Sequence, residues 1–452
     1  MPAQIEPTEV TAYLTEYALT APVGSIPDDV RHEALRSFVN ILGCTVGGCR
    51  HDAVDRTWSA LAPFAGEAHA TLIGRQSKSD ALTAALINTL ASSVNTFDDT
   101  HAQAVVHPSG PVMGALLALV ERRTMTGSEF LTAFLLGVEV ICRLSKAVSV
   151  APAEYKIAWS QTGITCGIGA ALAASRVIGL DIPTARQAVG IAASQAAGIR
   201  VAHGTMCTPM MPAQAGQVGL RAALLAEAGV TSSASSIEGR FGFLECFSEE
   251  PVCSVLTQDL GTRFEISQNT YKPYPCGIVI HPHIDAALEL RRAHDISPED
   301  IEAVSIKAHP GTMALCFRRH PAHDFEGQVS VFQWVAAAHV RGRAGNSENT
   351  RAAIADPVIS ALRDRLSVED DPAMPIDGSD MTITLKEGGR VATRVRDCIG
   401  SMGRPMSDSD LETKFRAAGE GVLKGDQLDK AVAMAWGLNE LAEMTDLIAC
   451  IQ

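Results

Sequence analysis

Over the first 240 residues apolar side chains recur every three to four positions, the spacing that gathers them on one face of a helix. The segment "SIPDDVRHEALRSFVNILGCTVGG" opens with Ser25 as a capping residue, carries Pro27 and two aspartates in its first turn, and ends in Gly47-Gly48. The same period predicts helices over about 79–95, 110–123, 127–146, 165–178, 183–197, 213–228 and 231–237. Alanine and glycine are frequent in these runs, which permits close helix–helix approach. With aromatic residues at 5%, the core has to be built from Ala, Leu, Val and Ile packing.

The pattern changes near Thr262. "RFEISQNTYKPYPC" reads as extended and broken by proline, and "IHPHIDAALELRRAHD" as one helix. "IEAVSIKAHP" alternates like a strand, and "MTITLKEGGRVATRVRD" predicts a hairpin turning at Glu387-Gly388-Gly389. Between them "QVSVFQWVAAAHVRGR" and "NTRAAIADPVISALRDRL" are helical in period, as is the tail from "DSDLETKFRAAG" through "KGDQLDKAVAMAWGLNELAEM". The fold class expected is mainly α: a large all-helical domain built from both chain ends, 1–263 and 400–452, with a smaller α+β domain over 264–399.

Length and composition narrow the function. A chain of 452 residues suits two or three domains, and 46% hydrophobic against 19% charged residues supports a large buried interior. The net charge of -14 argues against nucleic acid and anionic membranes as partners. An anionic small molecule can still bind where a local Lys, Arg or helix N-terminus reverses the field. The eleven cysteines contain no CxxC pair, so they read as buried thiols in a reducing cytoplasm. "MPAQIEPTEV" lacks the basic and apolar regions of a signal peptide, and no run of ~18 apolar residues suggests a membrane span.

Two stretches concentrate chemistry. "NTFDDTHAQAVVHPSGP" (95–111) sets Asp98, Asp99, Thr100, His101, His107 and Ser109 between two apolar helical runs. Three readings are open: capping and turn residues, an acid/base cluster in which a carboxylate tunes a histidine, or a metal site whose spacing matches no known tight one. "YKPYPCGIVIHPHID" (271–285) places Lys272, Tyr274, His281 and His283 in a segment stiffened by three prolines, either a positioned ammonium group or a surface lysine with helix-start histidines. "GITCGIG" (163–169) imitates a phosphate loop but lacks its Lys-Ser/Thr ending and a preceding strand, so its glycines read as helix packing.

Taken with "ATLIGRQSKSDALTAALINTLASS", "HPSGPVMGALLAL" and "EGRFGFLECF", these stretches resemble the MmgE/PrpD family, in order over nearly the whole chain. That family includes 2-methylcitrate dehydratase, cis-aconitate decarboxylase and iminodisuccinate epimerase. The resemblance implies a homodimer without cofactor or metal, a lid formed by the α+β domain, and a small carboxylic-acid substrate in the cleft. It places Asp99, Thr100, His107, Lys272 and His281 where the family's site residues stand. Four segments depart from the family pattern: Thr96 stands for a usual aspartate, Ser160 for a histidine, Thr208 and Met211 for a lysine and a histidine, and Gln333 for a tyrosine.

The implied reaction makes a carbanion next to a carboxylate, with cations stabilising the charge. His107 is assigned as general acid/base, Asp98 and Asp99 as its orienting pair, and Lys272 as carboxylate anchor or charge stabiliser. Thr100, His101, Ser109, Ser160, Thr208, Tyr274, His281 and Gln333 are assigned to hold the substrate. The expected activity is a cofactor-independent hydro-lyase acting on a hydroxy di- or tricarboxylic acid, with an altered substrate. The alternatives are an epimerase, isomerase or decarboxylase of a related acid, and an inactive carboxylate-binding dimer.

Overall fold

A computed structural model describes residues 9–154 and 156–452. The residues 1–8 read above for a leader lie outside the described ones. Among the described residues nine helices of ten residues or more make the first part: α1 (Val10–Thr20), α2 (Asp28–Gly48), α3 (Asp52–Leu61), α4 (Ala81–Ser93), α5 (Ser109–Val120), α6 (Gly127–Ser149), α7 (Gln161–Ile178), α8 (Ile182–Ala193) and α9 (Met210–Glu227). The fold is mainly α, as the periodicity predicts, with few and small sheets. No helix among the described residues is long and apolar enough to cross a membrane.

Ser25, read as the cap of the first long helix, is not one: α2 starts behind Pro27 without a side-chain cap, and the Ser25 hydroxyl donates to the Pro22 carbonyl. Asp80 accepts from the Thr83 amide at the start of α4, and Thr126 with Glu129 forms a capping box at α6. Residues 231–237 are turns rather than the expected helix, because their serines bond to backbone: Ser232 Oγ donates to the Gln187 carbonyl and Ser236 Oγ to that of Ser233. The glycine reading of 163–169 is structural. Gly169 lies on α7 where α6 crosses, and a Cβ there would sit 2.4 Å from the Gly137 carbonyl oxygen. Gly169→Ala is therefore expected to lower stability by about 1–3 kcal/mol, read as a drop in Tm; an unchanged Tm would show that the two helices can part freely.

The sequence reading misses a short hairpin, β1 (Ala70–Leu72) with β2 (Ser77–Ser79), turned at Gly74, whose φ of 64° suits glycine. It also misses two two-residue strands, β3 (Thr100–His101) and β4 (Asn269–Thr270), which pair antiparallel and carry the site. A four-stranded sheet follows, β5 (Ile301–Ala308), β6 (Leu366–Asp370), β7 (Ser379–Leu385) and β8 (Arg390–Val395), in the order β6-β5-β7-β8. The β7–β8 hairpin is as expected. The parallel β6 was missed apart from Leu366, the last residue of the run read as helical, and that run in fact breaks at Asp356-Pro357: Asp356 caps a new helix, Pro357–Asp364.

Two large apolar clusters fill the first nine helices, and the Phe415 and Leu447 side chains of the C-terminal helices join the first of them. Another gathers residues from Tyr274 to Cys398, where the helices His281–His294 and Val331–Arg341 pack with the sheet. Phe264 and Ile266 sit in the helical cluster, so the α+β packing begins about ten residues later than the change in texture suggested. Lys272 consequently belongs to the strap between the two regions.

Candidate active site

The stretch 95–111 folds as a turn, a strand, a second turn and a helix start. Thr100 pairs with Thr270 and His101 with Asn269, and the Thr270 hydroxyl donates to the Thr100 carbonyl at 2.7 Å. This two-rung ladder fixes what lies just beyond it. Asp98, two residues before Thr100, meets Lys272, two residues after Thr270: Nζ is 3.1 Å from Oδ1 and also donates to the Thr96 carbonyl at 3.2 Å. Both side chains are buried, at 1% and 7% exposure. Burial works against ionising Asp98, but Lys272 and then His107 outweigh it and hold the carboxyl below its ordinary range.

His107 stands at the entry to α5, its backbone N–H donating to Thr162 Oγ1 at 3.1 Å. Its Nδ1 lies 2.9 Å from the Asp99 carbonyl oxygen, 3.1 Å from Thr100 Oγ1 and 3.9 Å from Asp98 Oδ1. A carbonyl only accepts, so Nδ1 carries the proton and Nε2 keeps the lone pair. Burial lowers the imidazole's affinity for a second proton; Asp98 opposes this, and Lys272 adds to it. The result is a neutral base tied down through one nitrogen. Because His107 and Lys272 approach the same Asp98 oxygen at 3.9 and 3.1 Å, they are close enough for one small acid to engage both.

A cavity of about 120 Å³ opens over this group. Asp98, His107, Lys272, Ser160 and Thr208 line it, together with Thr96 and Met211 from the positions of departure. The remaining assigned residues do not line it, and each is engaged elsewhere. The Asp99 carboxylate accepts from Ser109 at 2.7 Å and Asn269 at 2.8 Å, while its Oδ1 has no partner; burial first, then Asp98, pushes it up to about 7. Asp99 is thus a brace between α5 and β4, and Ser109 is the other half of that brace. Thr100 sits behind the His107 ring.

His101 is corrected from a substrate ligand to a structural one. Its Nδ1 accepts from the Ala104 amide and its Nε2 meets Glu265 at 3.0 Å, fixing the turn that leads into His107. Glu265, held against burial by His101 and Lys146, falls to about 2. Tyr274 donates to Asp285 at 2.5 Å, and the buried His281 packs edge-on against its ring with Nε2 unpartnered. Gln333 lies inside the α+β cluster, where it accepts from Arg363 at 2.7 Å. The hydroxyls that do line the cavity are also committed in part: Ser160 caps α7, and Thr208 donates to the Ala202 carbonyl at 3.0 Å. Among the described residues no group of three or more His, Cys, Asp or Glu is arranged to hold a metal ion.

Sequence reasoning missed the polar lining residues Ser93, Gln161, Thr162, Arg200 and His203, and the clamp Gln328. Arg200 Nε donates to the Trp159 carbonyl at 3.1 Å and Nη2 to Gln161 Oε1. Gln328 accepts from Thr96 Oγ1 at 2.7 Å and donates to the Val94 carbonyl at 2.8 Å. The opposite walls are apolar, with Ile278, Leu315 and Phe325. The only signal in the sequence was a cation and an imidazole in the glycine-bounded "GIRVAHG", a segment without period.

The MmgE/PrpD N-terminal domain matches residues 12–255 and the MmgE/PrpD C-terminal domain residues 274–438. Cis-aconitate decarboxylase of Homo sapiens is 27% identical over 387 residues, covering 82% of this chain and 79% of that protein. The Mus musculus protein of the same name is 25% identical over 446 residues, covering 94% and 90%. A cis-aconitate decarboxylase of Aspergillus terreus (strain NIH 2624 / FGSC A1156) is 23% identical over 472 residues, covering 97% and 95%.

Proposed function

Because the chain belongs to the MmgE/PrpD family, we propose that it is a cofactor-independent lyase that removes a proton next to a carboxylate and expels water from a small hydroxy acid. The observation that carries this is the neutral His107, pinned through Nδ1, beside the buried Lys272–Asp98 pair. His107 Nε2 takes the proton, and the electron pair flows toward a carboxylate held by Lys272 and Arg200. Residues 264–399 act as the lid, and the active form is a cytoplasmic homodimer. Sedimentation at micromolar concentration should show twice the 47.8 kDa chain mass; a single species at that mass would refute the dimer.

A second reading, decarboxylation, is favoured by the relatives, which carry that activity in their names. It needs the same carboxylate anchors but delivers a proton to carbon after carbon dioxide leaves. Proton NMR in deuterated buffer separates the two: malate and citramalate report exchange and water loss, cis-aconitate reports carbon dioxide loss.

The departures predict the substrate's size. Ser160, Thr208 and Met211 offer two hydroxyls and a thioether but no charge, so a third carboxylate would be partly buried there without an ion-pair partner. A tricarboxylate is therefore expected to be discriminated against by ~100-fold or more in kcat/KM relative to a smaller acid. Turnover of 2-methylcitrate or cis-aconitate at ordinary enzymatic rates would refute this.

A further inference from the structure

The cavity holds a second imidazole that the scheme above leaves idle. His203 lies on the segment joining the short helical turn Arg200–Ala202 to α9, a different wall from the one that carries His107. Its backbone is held on every side. The N–H donates to the Arg200 carbonyl at 2.9 Å, and the carbonyl accepts from Arg318 Nη2 at 3.0 Å. The next residue, Gly204, has φ 85°, and its amide donates to Thr208 Oγ1 at 3.1 Å. A Cβ at Gly204 would stand 2.9 Å from the Arg318 guanidinium carbon, so this close seat requires glycine.

The ring is treated differently from the backbone. Among the described residues neither ring nitrogen of His203 makes a hydrogen bond, and the residue is half-buried. The ring nitrogens are not sealed into packing: they are absent from the buried polar atoms that lack a partner, and the ring lines the cavity where a ligand can reach it. The charged groups that act on it are both positive, Arg200 on its own segment and Arg318 from the α+β region, and His107 across the cavity adds to them only when it is protonated. Burial first, then these cations, lower it to about 4. An entering carboxylate supplies the negative charge that this surrounding lacks, and so favours the protonated ring once substrate is bound.

We propose that His203 is a second proton-transfer residue of this cavity, acting on the departing group while His107 acts on carbon. The inference rests on the lyase reading above. In the step, His107 Nε2 takes the proton from the carbon next to the carboxylate. The C–H electron pair becomes the new carbon–carbon π bond, the carbon–oxygen bond breaks, and the hydroxyl leaves with its electron pair. It receives the proton carried by the His203 imidazolium and departs as water. His107 then loses its proton to solvent, and His203 regains one.

Elimination and carbon exchange therefore separate in a His203 variant. With citramalate in deuterated buffer, His203→Gln is expected to form product ~100-fold more slowly than the unaltered enzyme, while His107-dependent deuterium exchange at carbon and KM change little. Undiminished product formation overturns the proposal, as does parallel loss of exchange and product in a variant with unaltered Tm. A measurement that needs no turnover accompanies it. In a succinate titration followed by the imidazole NMR signals, both His107 and His203 should shift, and a response from His107 alone overturns the assignment. Absence of exchange and elimination on every hydroxy acid, with both rings responding to succinate, would instead sink the lyase reading and leave His203 as a ligand-facing group.

Discussion

Replacing His107 by alanine should lower turnover of the preferred acid by ~100-fold or more, with little change in Tm. The magnitude follows from what the ring does. Its Nδ1–H is spent on the Asp99 carbonyl at 2.9 Å, so the one basic atom left is Nε2, and the other imidazole on the cavity, His203, belongs to a different wall. The small structural effect follows from the same geometry: His107 is partly exposed, and its backbone bond to Thr162 survives the substitution. The pH profile gives a second reading. A base must be neutral to act, and burial lowers the affinity of His107 for a proton despite Asp98. The acid limb of kcat/KM is therefore expected below the ordinary imidazole range, because the ring stays neutral to lower pH. A limb at or above that range would mean that Asp98 dominates, and that His107 enters the reaction charged, as an acid.

The sequence made the helices and the central triad of polar residues legible, and the reasons differ. Helices such as α4 and α6 announce themselves because period, cap and length agree: Asp80 and Thr126 mark starts that the apolar spacing already requires. Asp98, His107 and Lys272 stood out because charged groups interrupted apolar runs, and the resemblance aligned the last two. Which of their neighbours face substrate was not legible. His101 and His107 are six residues apart with the same side chain, yet Glu265, distant in sequence, claims one and leaves the other to the cavity. Gln333 aligns with a site tyrosine but is drawn into the α+β cluster by Arg363. Arg200 and His203 could not be found by pattern, because their loop has neither period nor charge cluster. Strands β3 and β4 were invisible for a related reason: two residues cannot display alternation.

Removing Lys272 should cost both fold and function, and a second substitution tells the two apart. Lys272→Met leaves Asp98 buried without its cation, though the Ser93 hydroxyl still donates to it at 3.2 Å, and breaking a buried ion pair from one side costs about 3–5 kcal/mol. The variant also loses the Nζ bond to the Thr96 carbonyl, which helps hold Thr96 at a φ of 50° that a threonine rarely adopts. Lys414 cannot substitute. Its ammonium is committed to Asn40 at 2.7 Å, the Phe97 carbonyl at 2.7 Å and the Lys272 carbonyl at 2.9 Å, and burial lowers it to about 8. Adding Asp98→Asn removes the stranded charge with little change in shape. The double variant is expected to recover most of the Tm lost by Lys272→Met, while both remain ~100-fold or more below the unaltered enzyme in turnover, since both have lost the Lys272 cation beside the developing carbanion and keep only Arg200. Recovery of turnover along with Tm would show that Lys272 serves only to balance Asp98. A Lys272→Met enzyme that kept its Tm from the outset would show that Asp98 takes up a proton when its partner is gone, and that the pair is not what holds β3 against β4.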